Sequence, residues 1–401
     1  MSTEVPSTGA QANSRSHHLY VHVPFCRLVC AYCDFVTVGG RGADIPRYVD
    51  ALLAELGQRP APGRLATIYF GGGTPSLLPP AAVARVIEAA EGRWGATPDE
   101  ITLEANPSLR EAPDWGALRQ AGVNRISLGV QSLRDGDLRA LARGHTAGEP
   151  RAAYAAARAA GFENVSLDLI YAIPGQDLEA WRGVVAEAVA LQPEHLSLYA
   201  LQLALAPDEW AAPPRAGALR WRARAAALQD DDVAADQYRV AEDMLAGAGY
   251  RHYELSSWSQ PGRESRHNAA YWARRPYTGI GAGAHSYDGG DYRSWNVRDL
   301  DTYLASVEAG RLPRAGHERL DPSTRAFEAV ALGLRRVDGL ERQAFAAEFG
   351  SDPAAYFAGA VEETVAYGLV ELDPRRIRLS AAGRLLASQA LLAFMDGAAQ
   401  A

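Results

Sequence analysis

Six short apolar runs, each followed by a turn or a polar residue and then by a helix-length segment, constrain this chain more than any other feature. They are Leu19 to Val23, Thr67 to Phe70, Ile101 to Glu104, Arg125 to Gln131, Asn164 to Asp168 and His195 to Leu201. Amphipathic or Ala/Leu/Arg-rich segments at Ile45–Gln58, Pro80–Arg93 and Gly148–Ala160 read as the intervening helices. Alternating strands and helices predict an α/β fold with a parallel sheet. Four of the runs carry Glu104, Gln131, Asp168 or a Gly-rich turn at the carboxyl end, which is where a TIM-type barrel places its active site. Six units instead of eight predict a partial (β/α)6 barrel, open on one side.

The first loop holds all three cysteines, Cys26, Cys30 and Cys33, in the spacing C-x3-C-x2-C. Structural thiols and half of a zinc knuckle are the bland readings. The odd count argues against a disulfide framework, and no His follows Cys33 at zinc-finger spacing. Three thiolates suit an iron–sulfur cube that keeps one iron open to an outside ligand. Downstream, Gly71-Gly-Gly-Thr-Pro75 reads either as a tight βα turn or as a segment whose backbone can approach a ligand closely, and its spacing is not that of a P-loop.

Each polar strand end has its own plain explanation: Glu104 could cap a helix, Gln131 could be a loop amide, Asp168 could satisfy backbone donors. At the same end of successive strands they read jointly as one site.

Length and composition narrow the class. At 401 residues the chain can hold one large core and an appended domain. All 40 basic residues are Arg, which excludes Schiff-base chemistry and a P-loop lysine. A net charge of −8 argues against a nucleic-acid surface. Residues 1–18 are polar, lack a signal-peptide core and read as a disordered tail. No run approaches the ~18 apolar residues of a membrane span. Reduced cysteines point to the cytoplasm.

The cysteine loop and glycine segment together resemble the radical S-adenosylmethionine (SAM) superfamily. That resemblance implies a [4Fe–4S] cluster whose fourth iron is chelated by SAM, and electron transfer that cleaves SAM to a 5'-deoxyadenosyl radical. Within it the chain is similar to the branch holding oxygen-independent coproporphyrinogen III dehydrogenase and the HemW haem chaperones. Carried over position by position, the resemblance makes Tyr20, Gly72, Gly73, Glu104, Gln131, Arg143 and Asp168 the SAM-contacting residues. Arg143 suits the methionyl carboxylate, Glu104 the ammonium, and Gln131 and Asp168 the ribose hydroxyls.

His267-Asn-Ala-Ala-Tyr271-Trp272 could be a core histidine among aromatics or an axial nitrogen beside flat apolar surface. It is similar to the H-N-x-x-Y-W motif of the HemW family, which implies haem as cargo. The dehydrogenase has a further cysteine where this chain has Phe35, and a longer segment before the cluster loop. The expected activity is therefore haem carriage to acceptor haemoproteins, with oxidative decarboxylation of coproporphyrinogen as the alternative. A homodimer and peripheral contact with a membrane are compatible with this reading; nucleic acid is not an expected partner. One departure is Ala206-Pro207, where many relatives have a Glu before the Pro.

Four regions follow: the tail over residues 1–18, the barrel core over 19–210, a flanking α/β region over 211–315, and a carboxyl-terminal domain over 316–401. In the flanking region a helix at Asp230–Ala248 precedes a strand at Tyr250–Leu255, and the Gly-rich run Gly279–Gly283 reads as a loop at the barrel mouth. The last domain reads as helices Ser323–Val337, Glu341–Phe349, Pro353–Gly368 and Ala381–Met395 with a hairpin at Leu369–Leu379, a winged-helix-like pattern. Glu362 and Glu363 on its candidate recognition helix deny it phosphate attraction, so a packing or partner surface is expected there.

Overall fold

The computed structural model describes residues 16–203 and 217–398. Its central sheet is built by side-chain alternation. In the strand Arg125–Gln131, Ile126, Leu128 and Val130 are buried against helices, while Arg125, Ser127, Gly129 and Gln131 line a cavity on the opposite face. The same period places Leu103, Leu167, Leu196 and Leu198 outward and Glu104, Asp168, Ser197 and Tyr199 inward. Parallel strands buried on both faces read as continuous apolar runs. These have a polar inner face because they surround a site instead of a packed core.

In chain order the strands are β1 (Ser16–Val23), β2 (Phe25–Cys26), β3 (Val38–Gly39), β4 (Arg64–Gly72), β5 (Glu100–Ala105), β6 (Arg125–Gln131), β7 (Val165–Tyr171) and β8 (His195–Ala200). Helices α1 (Ile45–Gln58), α2 (Pro80–Trp94), α3 (Trp115–Gln120), α4 (Asp135–Ala140), α5 (Gly148–Ala159) and α6 (Leu178–Ala190) connect them. Next come α7 (Ala218–Ala226), α8 (Asp231–Gly247), β9 (Arg251–Glu254), β10 (Ser257–Ser259), α9 (Arg266–Trp272), β11 (Tyr277–Ile280), β12 (His285–Tyr287), β13 (Tyr292–Asn296), α10 (Leu300–Glu308) and β14 (Arg314–Arg319).

The main sheet has 12 strands in the order β14-β13-β12-β11-β1-β4-β5-β6-β7-β8-β10-β9. From β11 to β8 every pairing is parallel. The partial barrel is thus confirmed and extended by one unit. β11 is a seventh parallel strand, paired with β1 from Tyr277 to Ile280, so the flanking region is also part of the barrel wall. Its brevity and glycine hid it in the sequence. The Gly-rich turn after it does lie at the carboxyl end of the strands: Gly281 sits too close to the His22 carbonyl for any β-carbon, and Gly283 packs on Val36.

β1 begins at Ser16, three residues before the expected start, so the expected tail does not extend past residue 15. Residues 1–15 lie outside the described residues, as does Ala206-Pro207.

The carboxyl-terminal domain has its own core around Val330, Phe345, Phe357, Ile377 and Phe394. It consists of α11 (Pro322–Gly333), β15 (Leu340–Glu341), α12 (Arg342–Phe349), α13 (Pro353–Tyr356), α14 (Ala358–Ala366), β16 (Val370–Leu372), β17 (Arg376–Leu379), α15 (Ala381–Leu385) and α16 (Ala387–Ala398). Two helices expected to be continuous are broken, at Phe357 (φ −114°, ψ 44°) and Leu386 (φ −113°, ψ 31°). Phe357 is buried in the core just where its helix breaks. The domain is tied to the barrel by backbone bonds from Leu255 N to Arg335 O (2.9 Å) and Val337 N to Tyr253 O (3.2 Å). An Arg384–Glu242 ion pair at 2.6 Å and the Arg335 guanidinium over the Trp272 ring at 4.3 Å add to the joint. Among the described residues no helix is long and apolar enough to cross a membrane.

Candidate cluster and cofactor site

The cysteine loop leaves the end of β1 and is closed at its neck by the short parallel pair β2–β3. Within it Cys33 N bonds to Cys30 O at 3.2 Å. The glycine segment clasps this neck: Gly73 N bonds to Val23 O and Thr74 N to Phe25 O, both at 2.8 Å. A β-carbon at Gly73 would lie 2.7 Å from the Phe25 carbonyl oxygen, and one at Gly72 (φ +115°) 2.5 Å from the His22 ring. Only glycine lets the two backbones meet there. From the other side Arg222 of α7 donates to the carbonyls of Ala31 (3.2 Å) and Tyr32 (3.0 Å) and pairs with Asp34.

All three cysteines are free and line a single cavity of about 740 Å³. Thr74 donates to Cys26 Sγ at 3.6 Å, and Arg143 donates to Cys30 Sγ at 3.1 Å. Burial pushes the Cys26 thiol up to about 11 and the Cys33 thiol up to about 12. A bound metal centre would supply the charge that converts them to thiolates. Among the described residues no trio of His, Cys, Asp and Glu is gathered as it would be for a single ion. The sulfurs share a cavity wall with donors aimed at them, a set that fits a multi-iron cluster with a position left for a cofactor.

Six of the expected SAM residues, Gly72, Gly73, Glu104, Gln131, Arg143 and Asp168, line that same cavity. Glu104 accepts from Tyr69 (2.8 Å) and from the Gly72 amide (3.0 Å). Burial, reinforced by the Asp168 charge, pushes its carboxyl up to about 7. Asp168 accepts from Ser127 (2.8 Å) and Ser166 (3.2 Å), and burial raises its carboxyl as well. Gln131 ends β6 with φ +66°, an uncommon conformation for a non-glycine residue, at an irregularity in the β6–β7 register.

Gly129 makes room for it, since a β-carbon there would meet the Gln131 amide at 3.0 Å. Arg143 donates to the Gly129 carbonyl (3.1 Å) and the Asn106 side chain (3.3 Å) as well as to Cys30. Among the described residues none of its hydrogen bonds goes to a carboxylate and its Nε has no partner, so an anionic ligand beside the cluster loop would meet a cation that no carboxylate of the protein neutralises.

Two expected site residues stand apart. Tyr20 does not line the cavity; its ring stacks on Tyr69 and its hydroxyl bonds to His22 Nδ1 at 3.2 Å. His267 is 1% exposed, with Nδ1 bonded to Thr67 (2.6 Å) and Nε2 to Tyr271 (2.9 Å). Burial holds its imidazole well below the usual range. Both nitrogens are committed, so in this arrangement the ring offers no axial ligand and the core reading of the histidine describes it. From the same hexapeptide Asn268 does reach the cavity.

Sequence reading missed Arg125, Asn106, Arg222 and the junction of α15 and α16 over Leu385–Gln389, which forms part of the cavity wall. Arg125 had a signal, since Arg125, Ser127, Gly129 and Gln131 alternate with apolar residues. Arg222 had none, because it reaches the loop from a helix about 190 residues away in sequence.

Comparison with known proteins agrees with this geometry. Residues 20–188 match the radical SAM superfamily and residues 320–386 the HemN C-terminal domain. The chain is 37% identical to the heme chaperone HemW of Mycobacterium tuberculosis over 92% of each chain. It is 35% identical to the Lactococcus lactis heme chaperone HemW, covering 94% of this chain and 96% of that one. The structure of coproporphyrinogen III oxidase (HemN) from Escherichia coli superposes with a TM-score of 0.80 at 24% identity, over 96% of this chain and 91% of that one, a likeness of fold. Cluster loop, barrel and appended domain are thus all shared along nearly the whole length, and the chain belongs to the HemW family of radical SAM proteins.

Proposed function

We propose that this protein is a haem chaperone that binds a [4Fe–4S] cluster at Cys26, Cys30 and Cys33, SAM beside it, and haem as cargo for acceptor haemoproteins. The observation that carries the reading is the convergence of three free cysteines with Glu104, Gln131, Arg143 and Asp168 on one cavity. A cluster held there would supply one-electron reducing power next to SAM. The chain's own residues orient the cofactor. Arg143 takes the methionyl carboxylate, Glu104 the amino group, and Gln131 with Asp168 the ribose hydroxyls.

Phe35 is 66% exposed and Leu28 58% exposed on the cluster loop, where both line the cavity. They give the mouth an apolar rim suited to a flat macrocycle. His267 takes no part in this reading, since its ring would have to leave both Thr67 and Tyr271 to reach iron.

The test is a haem titration of anaerobically prepared protein whose cluster absorbance has been verified. A shifted Soret band at micromolar haem is expected, with no protoporphyrinogen formed from coproporphyrinogen in the presence of SAM and reductant. No Soret change, or the appearance of the vinyl-bearing product, would overturn the chaperone reading; the latter would establish oxidative decarboxylation instead.

A further inference from the structure

The floor of the cavity holds a cation that none of the roles above uses. Arg125, the first residue of β6, is 2% exposed yet lines the cavity. Its Nε is buried without a partner. Among the described residues its guanidinium makes no hydrogen bond and no ion pair, although its charge is felt by Glu104, Asp168, His195 and His267. Burying a guanidinium that has no hydrogen-bond partner is costly, and folded proteins keep such a group when something else completes it. Another buried arginine, Arg59, shows the usual solution: it is paired with Glu55 at 2.6 Å and with Asn296 at 2.7 Å. Arg125 has five donors, no hydrogen-bond acceptor among the described residues, and the cavity in front of it.

The acceptor that matches a guanidinium fork is a carboxylate. The carboxylate assigned to Arg143 is placed at the other end of the same strand. Arg143 is fixed to the Gly129 carbonyl, which lies four residues further along β6, roughly 13 Å from Arg125 at about 3.3 Å per residue. A carboxylate at the floor therefore belongs to a second ligand entering beneath the SAM site. We propose that Arg125 is the receptor for a carboxylate of the cargo, a porphyrin propionate, so that the macrocycle is docked by its acidic edge toward the barrel floor. This rests on the haem-binding reading. Ser127 and Ser197, which line the cavity on β6 and β8, give the same patch a polar wall.

The experiment compares haem with haem dimethyl ester, in which both propionates are capped, on the full-length cluster-loaded protein and on Arg125→Gln. Wild type should bind the free acid at least tenfold more tightly than the ester. Arg125→Gln should bind both alike, at the ester's affinity. Retention of the tenfold preference in the variant overturns the proposal. A tenfold loss of SAM binding with the porphyrin preference unchanged also overturns it, by assigning the carboxylate to SAM. Thermal unfolding of the ligand-free proteins separates a structural role. An unpaired charge predicts an equal or higher Tm for Arg125→Gln, whereas a counter-ion holding Glu104 and Asp168 together predicts a lower Tm or no folding, either of which refutes the receptor role. If wild type binds neither porphyrin, the haem reading fails by itself. Arg125 is then decided by Tm in millimolar propionate against propionamide: a shift with propionate alone, absent in the variant, sustains a carboxylate site, and equal responses eliminate it.

Discussion

The two ends of one barrel interior are lined with the same kinds of residue and behave oppositely. At the amino end of the strands His18 bonds to Thr67 (2.8 Å), Thr67 to His267 (2.6 Å) and His267 to Tyr271 (2.9 Å). Glu100 accepts from the amides of Arg266 and His267, both at 3.0 Å. His195 is held by Ser166 and Tyr253, both at 2.8 Å. At the carboxyl end Arg143 has no carboxylate, the cysteines are free, and Gln131 is held in a left-handed conformation. Residue type does not distinguish a plug from a site; whether the polar groups face one another or face the cavity does, and Arg125, which begins β6 but faces the cavity, belongs with the site. The closed end stabilises the fold, and the open end costs stability that a ligand returns.

The largest effect that could break this comparison is at the closed end. His267→Ala leaves Thr67 and Tyr271 without their shared partner in a dry interior, so a stability loss of about 3 kcal/mol is expected in denaturant unfolding. SAM affinity of the folded fraction should stay within about twofold, because the ring does not line the cavity. A variant of unchanged stability that has lost haem would show the ring acting as a ligand and would undo the division.

At the open end the signs exchange. Arg143→Ala should weaken SAM binding by about 30-fold, or ~2 kcal/mol for a charge-assisted pair, while shifting the unfolding midpoint little. Equilibrium dialysis under anaerobic conditions reads the first and thermal unfolding the second. A variant that unfolds like His267→Ala would make Arg143 a structural residue.

Much of the open end could be read in the sequence because its residues sit on local signals. The cysteines fall on one loop, the glycines follow one strand, and Glu104 and Asp168 alternate with apolar neighbours. Strand period and a turn chemistry that only glycine satisfies carry that information within a few residues. The closed end has no such local signature. His267 is a core residue because Thr67, 200 positions earlier, is across from it, and nothing near the hexapeptide records that. β11 escaped for the same reason: four residues with a glycine become a strand only because β1 supplies the ladder. Domain packing was legible only in outline, since helix periodicity locates α15 and α16 but not that their junction walls the cavity.

The smallest expected effect sharpens the comparison most, because it predicts a gain. Burial pushes the Glu104 carboxyl up to about 7 from an ordinary value of 4.5. With the folded value above the unfolded one, its contribution to stability is fully present below about pH 4.5 and is lost as pH rises through about 7. The group is only partly shielded, so the cost at pH 8 is about 1–2 kcal/mol. Glu104→Gln keeps the size of the side chain and removes the charge. Ligand-free Glu104→Gln should therefore match wild type near pH 4.5 and exceed it at pH 8 by a few degrees in Tm. SAM binding should move the other way: wild-type affinity rises by no more than about tenfold from pH 6 to 8 as the carboxylate ionises, and the variant lacks this rise. If Glu104→Gln were less stable than wild type at pH 8, the carboxylate would belong with His267 among the residues that hold the barrel together.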